Sequence, residues 1–267
     1  MQSAKRAAAF IGLVFVSACA QPVLSPETSA FPEAEQAVSD SAREAFERYS
    51  ALAPRTAAPP SVDQAPHFVE IEQLLQGARE DESAWNRELF LRAAQDQFWR
   101  SGVNIATAEE LGLGPEDVGG FHLLVWRQIE QIDKSNTDFL KAEVDRRDGW
   151  MPKSEVGGGA AHFAWLLIQH ADRDAAFQER VVILMEPMVA IGEVDAQDFA
   201  YLFDRVASAA DRPQRYGTQG RCIAGEDRWE VNTLEDPARI DDLRASVGLS
   251  TMAEYVAVFA ANRVCEG

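Results

Sequence analysis

The chain has 267 residues, with 25 Lys and Arg against 43 Asp and Glu, for a formal net charge of −18. A surface this acidic repels phosphate backbones and anionic headgroups, which argues against a nucleic-acid partner and against electrostatic adhesion to a membrane. Roughly 200 residues beyond position 66 suffice for a sizeable apolar core.

The chain opens with Lys5 and Arg6, followed by an apolar run from Ala7 to Val16 that is too short to span a bilayer. Val16-Ser17-Ala18-Cys19 follows and resembles the bacterial lipobox. That resemblance implies a lipoprotein signal peptide over residues 1–18 and acylation of Cys19. Acyl chains would anchor the protein in a leaflet at about 0.8 kcal/mol per buried CH₂. The expected address is the bacterial cell envelope, facing the periplasm. The plainer alternative is an ordinary signal peptide with a chance cysteine. Removing residues 1–18 leaves 23 basic and 43 acidic residues, a net charge of −20.

Residues 19–66 read as a tether rich in Pro and Ala, since seven of the twelve prolines fall at positions 22, 26, 32, 54, 59, 60 and 66. Within it, Val38, Ala42, Ala45, Phe46 and Tyr49 have helical spacing, which predicts a short helix that either docks or stays mobile.

From His67 to Gly267 the pattern predicts a mainly α, multi-helix globular domain. Phe68, Ile71, Leu74 and Leu75 share one face of a first helix. Residues 82–102 are rich in strong helix formers and stop at Gly102. Residues 104–120, with four glycines and a proline, predict loop with a short helical turn. Residues 121–149 form a long amphipathic stretch, and 149–159 a Gly-rich connection. Residues 160–171 are apolar nearly all round, as in a buried helix. A second apolar helix has Pro187 near its end. Asp195 caps a third, with Phe199, Leu202, Phe203 and Val206 facing inward. After Arg212, residues 215–224 and 228–234 predict a small C-terminal β-hairpin, before helix returns.

Cys222 and Cys265 predict one disulfide in an exported protein, stabilising by about 3–4 kcal/mol. A free catalytic thiol at Cys222 is the alternative, without a Cys-His signature to support it.

Asp96-Gln97, Gly149-Trp150, Gln169-His170-Ala171-Asp172 with Phe177-Gln178, Asp204-Arg205-Val206, and Gln214 with Tyr216-Gly217-Thr218-Gln219 occur in an order that resembles an uncharacterised bacterial family, a domain of unknown function. The likeness spans roughly residues 85–255. It implies a shared fold and names no activity. Met151 separates Trp150 from Pro152, where the family pattern joins them.

Gln169, His170 and Gln178 are candidates for a pocket at a helix junction, with His170 as general base oriented by a carboxylate such as Asp172. The plainer reading has His170 finishing a helix and Asp172 or Asp174 capping the next. Gln214, Tyr216, Thr218 and Gln219 offer neutral amides and hydroxyls for a polar ligand, or satisfy neighbouring backbone groups. Trp150 either lids the junction or packs. Asp96 with Arg100 reads as an i,i+4 ion pair, and Asp133 with Asn136 as a solvated face. No metal site is expected: His162 and His170 are eight positions apart, about 12 Å along a helix, and His67 and His122 show no ligand spacing. No cofactor motif is present. The expectation is an envelope lipoprotein of unknown activity that binds a small polar ligand or peptide. The rivals are a hydrolase-like enzyme using His170 and a structural or envelope-assembly protein. Whether it is an enzyme stays open.

Overall fold

The computed structural model describes residues 37–55, 68–223, 225–226, 228–261 and 265. The signal peptide, Cys19 and His67 lie outside the described residues. The described chain is mainly helical with one small antiparallel hairpin, as the sequence predicts. It divides after Asp174 into two compact units, where the sequence suggested one domain over 67–267.

The first unit contains α1 (Asp40–Ala51), α2 (Phe68–Glu80), α3 (Ala84–Ser101), α4 (Ile105–Glu110), α5 (Pro115–Arg147), α6 (Lys153–Val156) and α7 (Gly158–Gln169). Helix α1 starts at Ser39, whose hydroxyl accepts from Ala42 N–H at 3.1 Å. It is not a loose piece of tether. Ala42, Ala45 and Tyr49 are buried, and the Tyr49 ring stacks on Phe98 at 4.5 Å and meets Trp99 and Phe121 edge-on. The Tyr49 hydroxyl donates to the Phe98 carbonyl. The apolar face of α1 therefore supplies core rather than surface.

Helix α5 begins earlier than the glycines suggested. Pro115 at its first turn has a preset φ, and Glu116 and Asp117 favour the positive end of the helix. Gly120 leaves room where the start of α1 approaches: a Cβ there would meet Val38 Cγ1 at 3.2 Å and Ala42 Cβ at 3.4 Å. Arg146 and Arg147 complement the last turn, and the helix stops at Asp148 in the left-handed region. Helix α7 buries Ala164, Trp165, Leu167 and Ile168, in keeping with its unbroken apolar sequence.

The second unit contains α8 (Ala175–Ala190), α9 (Ala196–Ala209), β1 (Gly220–Cys222), β2 (Trp229–Val231), α10 (Ile240–Ser246) and α11 (Met252–Ala261). Asp195 caps α9, accepting from Gln197 N–H at 2.9 Å. Arg221 faces Glu230 across the hairpin, and the strands are shorter than the sequence suggested. Trp229 stacks on Phe259 at 4.2 Å, which seats α11 on the hairpin. Cys222 and Cys265 form the expected disulfide, closing a separation of 43 residues.

Candidate functional site

Glu88, Arg92, Asp96 and Arg100 recur every fourth residue along α3, so they share one face. On α5, Asp133 follows Ile129 by four positions and precedes Leu140 by seven, which puts it on the core-facing side. His170 is the residue that ends α7. These three elements bring four ionisable side chains to one point of the first unit.

Asp96 is the hub. Its Oδ1 lies 3.1 Å from Arg100 Nε and 3.0 Å from His170 Nδ1. Its Oδ2 accepts from Gln97 Nε2 at 2.7 Å. Arg100 continues outward, donating from Nη2 to Asp133 Oδ1 at 2.5 Å. Asp96 and His170 are each 1 % exposed at the side chain, while Asp133 is 20 % exposed. The network thus runs from a sealed end at His170 to a solvent-facing end at Asp133. One turn along the same seam, Arg92 donates to Asn136 Oδ1 at 3.2 Å and lies over the Phe139 ring. Asn136 is 2 % exposed, and its Nδ2 has no hydrogen-bond partner. The solvated face expected for Asp133 and Asn136 is therefore a seam against α3.

The two carboxylates are driven apart. Burial alone would raise Asp96, but Arg100 and His170 beside it outweigh burial and hold it well below the usual carboxylate range. Burial pushes Asp133 up to about 7, with Arg100 offsetting only part of the rise and Asp96 adding to it. With Asp96 ionised, His170 Nδ1 carries the proton and donates, which makes Nε2 the basic nitrogen. Nε2 is itself buried, at the sealed end of the network.

Asp172, the orienting carboxylate suggested by the sequence, is exposed; the carboxylate at His170 Nδ1 belongs to Asp96, 74 residues upstream. His170 also caps its helix, as the plainer reading of this residue has it. Trp150 and Gln169 are buried in the same unit. His162 stacks on Trp165 at 5.0 Å.

The remaining sequence-predicted residues belong to the second unit. Gln178 is 1 % exposed on α8. Gln214 donates to the Gln219 and Asn232 carbonyls and accepts from Gln219 N–H at 2.8 Å. Thr218 Oγ1 accepts from Gln219 Nε2 at 3.1 Å. Tyr216 is buried, and its N–H donates to Asp204. The Gln214 amide thus meets backbone needs within the loop, while the Thr218 hydroxyl pairs with a neighbouring side chain. Residues 215–219 form no ladder, because Asp204 takes the N–H groups of Arg215, Tyr216 and Thr218. Gly217 at φ 67° makes the turn, with a Cβ position only 2.9 Å from Met252 Sδ.

Sequence reasoning found the Asp96–Arg100 pair but not its continuation to Asp133 and His170. The available signal was Asp133 itself, an acid at helical spacing between Ile129 and Leu140.

No curated protein and no solved structure is similar to this chain. A family of unknown function, DUF6624, matches residues 120–263. The match includes Asp133, Trp150, the Gln169–Gln178 row and the Gln214–Gln219 loop, and begins beyond Asp96. The chain belongs to this family, DUF6624.

Proposed function

We propose that this protein is an exported envelope lipoprotein, anchored through Cys19 and facing the periplasm, whose first unit recognises a small polar ligand at the outer end of the Asp96–Arg100–Asp133 network. The supporting observation is the network itself. Replacing a buried ion pair by packed apolar side chains is often neutral or stabilising by about 1–4 kcal/mol, so stability alone gives little reason to keep one. Buried, perturbed charges gathered at one point are characteristic of working sites. Asp133, partly exposed and held by Arg100 on one oxygen, is the group positioned to meet a ligand. The Cys222–Cys265 bond supports export, since such bonds persist in oxidising compartments.

A second reading, hydrolysis with His170 as general base, draws support from the Asp96–His170 contact. Asp96 would fix the tautomer, and the reading requires a path for water to the buried Nε2.

Anchoring is tested by radiolabelled palmitate in cells: the full-length chain takes up label, and Cys19→Ser abolishes it. Recognition is tested by thermal shift of the mature chain against amino acids, dipeptides and simple sugars. A melting rise that Asp133→Asn removes supports the reading; no response to any of these probes overturns it. Turnover of esters or amides that His170→Gln abolishes, with the fold retained, would favour the hydrolase instead.

A further inference from the structure

The Asp96 network has more negative than positive groups. Two carboxylates share one guanidinium: Arg100 reaches Asp96 through Nε and Asp133 through Nη2. With both carboxylates ionised and His170 neutral, these groups would carry one negative charge in excess, a costly arrangement where burial lowers the dielectric. Asp133 Oδ2 has no hydrogen bond among the described residues. One carboxylate oxygen from Asp96, one from Asp133 and one ring nitrogen of His170 all lie within 4.8 Å of one another.

We propose that Asp96, Asp133 and His170 bind a divalent first-row metal ion. The histidine spacing that argued against zinc concerned His162 and His170 on one helix. Here the ligands come from three separate elements, α3, α5 and the end of α7. One imidazole nitrogen and two carboxylate oxygens suit Zn²⁺ or Mn²⁺, whereas Ca²⁺ demands six or more oxygens. Three protein ligands leave a position for water or a ligand, as in catalytic rather than structural sites. The partly exposed Asp133 gives the ion its entry. Asn136, one turn further along α5, has a buried Nδ2 with no acceptor, a donor suited to a metal-bound water rather than to the ion itself.

Arg100 is then a competitor. Its guanidinium holds Asp133 Oδ1, and an incoming dication displaces it from that oxygen. An ion-pair network with no metal role takes up no ion in the wild type or in any Arg100 variant, which gives the test its contrast. The inference does not depend on the ligand-recognition reading and can fail or stand without it.

The test titrates Zn²⁺ and Mn²⁺ separately into the chelator-stripped mature chain by calorimetry, with melting temperature as a second readout. Expected are saturable uptake of about one equivalent, a rise in melting temperature, and weakening by about tenfold or more in both Asp133→Asn and His170→Gln. Arg100→Gln should bind as tightly as wild type or tighter. Asp133→Asn, at the exposed end, is the variant of least risk to folding and decides the matter if His170→Gln unfolds. The proposal is overturned by the absence of saturable uptake, by uptake that Asp133→Asn leaves unchanged, or by its loss in a folded Arg100→Gln protein.

Discussion

Asp204 and Arg244 hold the loop at residues 214–219 from opposite polarities. Asp204 accepts the N–H groups of Arg215, Tyr216 and Thr218, while Arg244 Nη1 donates to the Tyr216 carbonyl at 2.7 Å. Both residues are 0 % exposed. A buried anion and a buried cation thus do the work that a strand ladder would otherwise do. Asp204→Asn turns one acceptor into a donor facing the Thr218 N–H. It is expected to cost about 2–3 kcal/mol in chemical denaturation. Arg244→Lys, which cannot reach both the Tyr216 and Ser250 carbonyls, should cost a similar amount.

Within the Asp96 network, the two aspartates should differ sharply. Asp96→Asn strips the ionised partner from Arg100 and His170 at a sealed site and is expected to destabilise by about 3–5 kcal/mol. Asp133→Asn, at the wetter end, should cost under about 1 kcal/mol. Urea denaturation with chelator present would compare them; equal losses would contradict the gradient of burial.

Glu143 provides a pH signature. The hydrogen bond from Arg146 holds its carboxyl below the usual range, with Arg147 adding to the effect against burial. A lowered folded-state value contributes stability above the unfolded value, near 4.3, and loses it as pH falls through the folded value. Glu143→Gln should therefore melt below wild type at pH 7, and the gap should close in acid below that unfolded value. A gap that persists to pH 2 would assign the effect to packing instead.

Helix α1 is part of the core, so Tyr49→Ala should behave as a core truncation, costing about 3–5 kcal/mol. Tyr49→Phe keeps the rings and removes only the hydroxyl bonds to Phe98 and Ser101, for about 1 kcal/mol. Thermal melts of both variants would show whether residues 37–55 unfold with the first unit.

Opening the Cys222–Cys265 bond, by Cys222→Ser or by reductant, should cost about 3–4 kcal/mol, given its 43-residue separation. The loss should be confined to the second unit. Hydrogen exchange would show it as faster amide exchange in α11 and the hairpin, with the first unit unchanged.

The helices were readable because periodicity and end signals agreed: Asp195 caps where expected, and Gly102 ends α3. The disulfide was readable because two cysteines expected to meet an oxidising compartment have few alternatives. What the pattern hid was long-range. Asp96 meets His170 across 74 residues of sequence, a distance over which local spacing carries no information. The Gln214–Gln219 loop misled for a different reason: alternating polar residues look like a strand face, but a buried Asp204 eleven positions upstream of Arg215 removes the amides from pairing. Likewise the glycines at 119 and 120 suggested a break, when Gly120 is small to let α1 pass.

The docking of α1 also bears on reach. If lipid holds Cys19, the slack between anchor and body is the 20 residues to Ser39, not the 47 to Pro66. A chain of that length spans at most about 70 Å. With such an anchor, α1 could stand no further than that from its leaflet, and whatever the first unit meets would have to come within that layer.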